Sequence, residues 1–257
     1  MLLTKEKILI NFPSYLIALL PLSLISGPFL SDLSILIIGI FFLINIVLKK
    51  EYHFLKNKFI IIFVIFSLYL FVNSLIKYFD IHSIRSSFGY LRFGIFSLGV
   101  FYFLEKRKDI IKWLFIIFLI CFLLLIFDGY YQYFNKVSFF TGIDVGESRR
   151  ISSLFGTELI MGSYLSRLFP IFLGITFYLY KEKKGILILL SAIFVAIEVL
   201  IFLSGERASF FFNTLAAIYI IIMIKDFKKI RLFSFIASII LIFLISNFDN
   251  AAKKRVV

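Results

Sequence analysis

Apolar residues run through this chain in long unbroken blocks, each closed by a short cluster of charges, rather than at the three-and-four spacing that marks a surface helix. Nine blocks can be marked, at about 12–30, 33–48, 59–76, 88–104, 113–129, 161–180, 185–203, 208–224 and 232–247. Their length is close to the roughly 20 apolar residues that carry an α-helix across a bilayer. Strands of a membrane barrel would be shorter and would alternate between lipid and lumen. Backbone groups in lipid must also be satisfied internally. The pattern therefore predicts an all-α fold, a polytopic transmembrane helical bundle of about nine spans. No repeat of fixed period is visible. The opening MLLTKEKILINFPSYLIALL sets basic residues before an apolar run, as a secretory leader does. No small-residue cleavage site follows and a second run begins at once, so it reads as an uncleaved first span.

Composition agrees with the pattern. Of 257 residues 61% are hydrophobic, against roughly 45–50% in an ordinary soluble domain. That excess rules out a water-soluble globule. Residues 1–257 are expected to form a single transmembrane domain, with one long connection at 130–160 and the opening of another at 248–257. The single Cys121 lies in an apolar block, which excludes an intramolecular disulfide and most thiolate metal sites.

The net charge of +13 would point to nucleic acid in a soluble protein. In a membrane protein it reports the bias of basic residues toward cytoplasmic connections, and no nucleic-acid partner is expected. The segments 1–11, 49–58, 105–112, 181–184 and 225–231 hold 17 of the 28 basic residues and are assigned to the cytoplasm together with the amino terminus. The alternate connections at 31–32, 77–87, 130–160, 204–207 and from 248 face outward. The inner set is 15 Lys and 2 Arg, whereas the remaining basic residues are 4 Lys and 7 Arg. Orientation needs only positive charge, but the planar guanidinium fork suits bidentate contact with phosphate or carboxylate. The outer face is expected to handle an anionic, phosphorylated substrate.

Arg92 in GYLRFG, Arg167 in GSYLSRLFP and Arg207 in SGERASF all fall near the outer end of a predicted span. Arg92 and Arg167 either line a substrate entry or snorkel to head groups. Glu198, about five residues below the outer end of the seventh span, is either functional or the partner of one of these arginines. Arg207 follows a tight Ser204–Gly205–Glu206 connection and opens a span whose positive dipole end points outward. Of the arginines, it is best placed to neutralise a diphosphate. The long 130–160 connection, with aromatics and the pair Arg149 and Arg150, is expected to fold as a lid over the bundle. Asp80, Asp128, Asp144, Glu147, Glu158, Glu206 and Asp249 show no metal or paired-acid spacing, and His82 is a lone outward histidine. No phosphate loop, zinc-ligand spacing or nucleophile elbow occurs, so neither a metal site nor a cofactor is expected.

The stretches SGERASFFF at 204–212, RRISSLFGTELIMGSYLSRLFP at 149–170 and GYLRFG at 89–94 resemble segments of the O-antigen ligase and polymerase superfamily, polytopic glycosyltransferases of the bacterial inner membrane. The similarity extends through the order of spans over most of the chain. It implies a donor glycan on undecaprenyl diphosphate, taken from the periplasmic side and transferred without a nucleotide sugar. The acceptor would be a lipid A core sugar in the ligase branch and another lipid-linked repeat unit in the polymerase branch. The family's essential Arg in a short loop before a span matches Arg207. Arg149, Arg150, Arg167 and Arg92 would contact substrate, and Arg255 would be an arginine of the next periplasmic loop. In the family that loop also supplies a His for acceptor activation, which no residue here matches. The resemblance thus implies that NFDNAAKKRVV opens such a loop and that the chain is an amino-terminal part of a longer protein. The alternative from another class is a transporter or flippase for an anionic lipid or polysaccharide.

Overall fold

The computed structural model describes residues 2–56, 58–77, 80–146, 150–224 and 228–248. Among the described residues ten α-helices form: α1 Leu2–Ile25, α2 Pro28–Lys49, α3 Lys58–Lys77, α4 Ile81–Gly89, α5 Leu91–Lys106, α6 Ile110–Asn135, α7 Met161–Tyr180, α8 Lys184–Leu203, α9 Arg207–Met223 and α10 Lys228–Phe248. Among the described residues the only extended pairing is a single bridge, Val137 to Asp144. Among the described residues seven helical segments are long and apolar enough to cross a membrane, at 7–25, 28–49, 58–77, 81–106, 110–135, 184–203 and 228–248. The described fold is therefore all-helical and of the composition expected in a membrane. The remaining two predicted spans correspond to α9, which has 17 residues, and α7, which carries Arg167 and Pro170 in its first half.

Helix α1 already begins at Leu2 and α6 runs on to Asn135, beyond the predicted limits at 12 and 129; three further departures from the sequence pattern each have a local reason. The first connection lies at Ser26–Gly27, not at 31–32, because Gly27 takes φ 119° and Pro28 opens α2 at a position where its missing N–H costs nothing. Asp32 is consequently a residue of α2. The predicted outer connection 77–87 contains α4, whose first turn is capped by Asp80 Oδ2 accepting from the Ser83 amide at 3.2 Å. Arg231, assigned to an inner connection, belongs to α10 and is only 1% exposed.

The chain divides into two compact units, residues 1–114 and 115–257. In the first, Ile17 of α1, Ile38, Phe42 and Ile46 of α2 and Tyr102 and Phe103 of α5 form one buried cluster, with Phe54 tucked beneath it. Close approach of α2 and α5 depends on Gly99: a Cβ there would sit 3.1 Å from Ile38 Cγ2 and 3.2 Å from Phe42 Cβ. The Asn45 amide donates to the Leu9 carbonyl at 3.0 Å and ties α2 to α1. At one end Lys106 Nζ bonds Glu51 Oε1 at 2.6 Å, and Arg107 reaches both Asp109 and Asn11. In the second unit α7 and α8 pack through Phe169, Phe172 and Phe194 in edge contacts. Gly129 of α6 rests against Leu200 of α8, where a Cβ would fall 2.7 Å from Leu200 Cδ1.

Candidate functional site

The site is built on the turn Ser204–Gly205–Glu206. Gly205 takes φ 72°, a left-handed conformation that glycine adopts freely, and reverses the chain between α8 and α9. The reversal carries the Glu206 carboxylate onto the first turn of α7. Oε1 accepts from the Gly162 amide at 2.7 Å, and Oε2 accepts from Ser163 Oγ at 2.5 Å and Ser209 Oγ at 3.0 Å. Glu206 therefore satisfies an otherwise free amide at the start of α7, as a capping residue would, although it is remote in sequence. The fit is close: a Cβ on Gly162 would overlap Ser204 Oγ and lie 2.9 Å from Glu206 Oε1.

This clamp brings the amino-terminal ends of α7 and α9 together. Arg207, the first residue of α9, is exposed, and its guanidinium has no partner among the described residues. Arg150 lies over the turn, its Nε donating to the Ser204 carbonyl at 3.1 Å and its stem running along Gly205. Arg167 is exposed one helical turn beyond Ser163, on the face that meets Glu206. Arg150 and Arg207 thus flank one turn, and Arg167 stands on the helix clamped to it. Arg149 and Arg255 lie outside the described residues. Arg92 belongs to the first unit, where it pairs with Asp32 at 3.1 Å and stacks over Phe93 at 4.9 Å.

The predicted lid is a folded element. Asp128, fully buried near the end of α6, accepts from Ser138 Oγ, Ser153 Oγ and the amides of Phe139 and Phe140 at 2.7–3.2 Å. One turn later Gln132 Oε1 accepts from the amides of Ser152 and Ser153, and its Nε2 donates to the Ile143 carbonyl. Asp144 turns back on itself through the Gly146 amide. These contacts make Asp128 and Asp144 structural acids. Among the described residues no three His, Cys, Asp or Glu side chains stand together as a metal-ligand group.

Glu198 does not pair with Arg92, Arg167 or Arg207. Its partner is Arg231 of α10, and both side chains are almost wholly buried. Arg231 also lies 5.3 Å from the Phe169 ring centre and donates to Ser234 Oγ at 3.4 Å. Sequence reading missed this pair because Arg231 follows a run of lysines that looks like a solvated connection. The signal that could have found it is the Arg231, Ser234, Ser238 spacing, a polar stripe on one face of an apolar helix. The roles of Gly162 and Ser163 were likewise missed, since they lie 44 and 43 residues from Glu206, whereas Ser209, three residues on, was within local reach. No family model, no curated protein and no solved structure matches the chain.

Proposed function

We propose that the chain is a glycosyltransferase of the O-antigen ligase type, moving a glycan from undecaprenyl diphosphate to an acceptor hydroxyl. The acceptor is a lipid A core sugar, or another lipid-linked repeat unit if the chain is of the polymerase branch. In this reading all nine predicted segments cross a bacterial inner membrane, the amino terminus is cytoplasmic, and the turn at 204–206 faces the periplasm. The observation that carries it is the clamp itself. Glu206 is consumed by α7 and α9, so its charge is spent on amide and hydroxyl donors, while Arg207 beside it stays unpaired among the described residues at a helix start.

Arg150, Arg167 and Arg207 then make a positive rim around the clamped turn, where Glu206 itself already occupies the α7 terminus. Transfer breaks the bond between the sugar C1 and the diphosphate oxygen, and negative charge grows on that oxygen. Arg207 is placed to stabilise it, an effect that operates mainly in the transition state. Arg150 and Arg167 hold the diphosphate. The acceptor oxygen bonds to C1 and its proton passes to water or to the released diphosphate. The test is glycan transfer in membranes from cells making the protein. Arg207→Ala is expected to lower transfer by about 100-fold or more with insertion unchanged, and Arg207→Lys to keep part of it. Full activity in Arg207→Ala would refute the assignment.

A second reading has one observation in its favour. The Glu198–Arg231 pair is buried between α8 and α10, and charges inside spans often mark a transport path. A transporter of an anionic lipid would lose flux when Glu198 and Arg231 are replaced together by Leu and Met, whereas the transferase would keep its activity.

A further inference from the structure

The first unit carries a polar groove that the proposed chemistry does not use. It lies between α3 and α4, holds about 450 Å³ and is lined by Asn73, Ser74, His82, Ser83, Ser86 and Ser87, with Leu70 at its base. On α4 the lining positions 82, 83, 86 and 87 form one helical stripe, while Ile81 and Phe88 on the opposite stripe are 71% and 66% exposed. On α3 the positions 70, 73 and 74 form the facing stripe. Two apolar-backed helices thus turn hydroxyl and amide groups toward each other across open space. The Ser74 hydroxyl is buried with no partner among the described residues, and neither the Asn73 amide nor Ser86 Oγ has one there. Of these only the Ser74 hydroxyl is shut off from water, so it alone carries the cost of an unmade hydrogen bond.

The chemistry of the lining selects the occupant. No Lys, Arg, Asp or Glu is among the lining residues. The amino terminus of α4, which could otherwise hold an anion, is already capped by Asp80. What remains is the Ser74 and Ser86 hydroxyls, the Asn73 amide and the His82 imidazole, the Ser83 and Ser87 hydroxyls being engaged with Asp80 and the Ser83 carbonyl, in a groove of the size that takes small ligands. We infer that the α3–α4 groove binds an uncharged polyhydroxyl ligand, a saccharide, through Asn73, Ser74, His82 and Ser86. The inference rests on the transferase reading only for the class of ligand, a glycan.

The test uses the full chain in lipid nanodiscs and saturation-transfer NMR with two neutral probes, maltotriose and the trimer of N-acetylglucosamine. Saturation should pass to ring protons of at least one probe. Asn73→Ala should weaken its binding about five- to tenfold, the effect of one lost hydrogen bond, and Ser86→Phe, which fills the groove from an exposed position, should abolish it. Ser86→Ala, too small to disturb folding, should weaken it measurably. Absence of transfer to either probe, transfer that survives Ser86→Phe, or displacement of the sugar by inorganic phosphate would each overturn the inference. The two readings fail separately. Loss of glycan transfer in Arg207→Ala together with sugar binding indifferent to Ser86→Phe removes the groove alone. Sugar binding that follows the groove while Arg207→Ala transfers at full rate removes the transferase and leaves the groove.

Discussion

Replacing Gly162 by Ala separates two opposite expectations. By helix propensity alone the change should stabilise α7, since Ala is better than Gly by about 1 kcal/mol in a helix interior. The clamp reverses the sign. The added methyl would overlap Ser204 Oγ, a hydroxyl that is 1% exposed and fixed by its bond to the Ile201 carbonyl at 2.7 Å, and would press on Glu206 Oε1 and Cβ. Neither neighbour is the free end of a flexible chain. Overpacking of this kind costs about 1–3 kcal/mol, and opening the clamp to relieve it exposes hydrogen bonds to a charged carboxylate worth about 1.5–3 kcal/mol each before water replaces them. A net loss of about 1–2 kcal/mol is expected, or roughly 2–8 °C in the melting temperature of a chain this size. The assay is thermal unfolding in nanodiscs of Gly162→Ala, Ser204→Ala and the double variant. Removing Ser204 Oγ relieves the closest contact, so the double variant should recover about 1 kcal/mol relative to additivity. A Gly162→Ala protein as stable as the parent, or a strictly additive cycle, would refute the clamp.

Other perturbations have equally definite outcomes. Asp128→Asn turns an acceptor of several donors into a group that presents its own N–H₂ to them; the 136–155 segment should become susceptible to limited proteolysis, with a stability loss of about 2–4 kcal/mol. Glu198→Gln leaves Arg231 buried without a counter-charge and should cost about 3–5 kcal/mol in unfolding, whereas replacing both partners by Leu and Met should restore much of it. Burial raises the Glu51 carboxyl, but hydrogen bonding to Lys106 and Tyr102 and the charges of Lys106 and Lys49 together hold the group below its ordinary value. Its contribution is therefore present above about pH 4.3 and lost as pH falls through the lowered value. For a partly exposed pair it is worth at most about 1 kcal/mol, and Glu51→Gln should remove that pH dependence from the melting curve.

What the sequence revealed follows from how local each cause is. The apolar blocks at 59–76, 185–203 and 232–247 correspond to α3, α8 and α10 because bilayer-length apolar runs leave the backbone one solution. The first connection was misplaced because counting apolar residues passes over Gly27–Pro28, two residues whose backbone restrictions outweigh the hydropathy around them. Arg207 was legible as an arginine at a span end and Arg150 as one of a pair in the long connection. The clamp that orders them was not, because Glu206 and Gly162 are 44 residues apart, and only the packing of α9 on α7 makes them partners. Asp128 and Gln132 at i and i+4 were readable as a polar pair ending an apolar helix. That they serve as acceptors for the amides of the following loop depends on how that loop folds back.

Moving Arg231 from a connection into α10 changes the argument about arginine. Its side chain is spent on Glu198, Ser234 and the Phe169 ring, so it says nothing about a substrate. Of the connections assigned to the cytoplasm, only 105–112 then still contains an arginine, Arg107, and it is held by Asp109 and Asn11. Arg92 is likewise engaged, by Asp32 and Phe93. Each arginine thus accounted for has an acidic, amide or hydroxyl partner that consumes part of its fork. Arg207 and Arg167 have none among the described residues, and the acid closest to Arg207 in sequence, Glu206, is turned away from it onto amide and hydroxyl donors. Spending Glu206 on the α7 terminus leaves Arg207 available to an external anion.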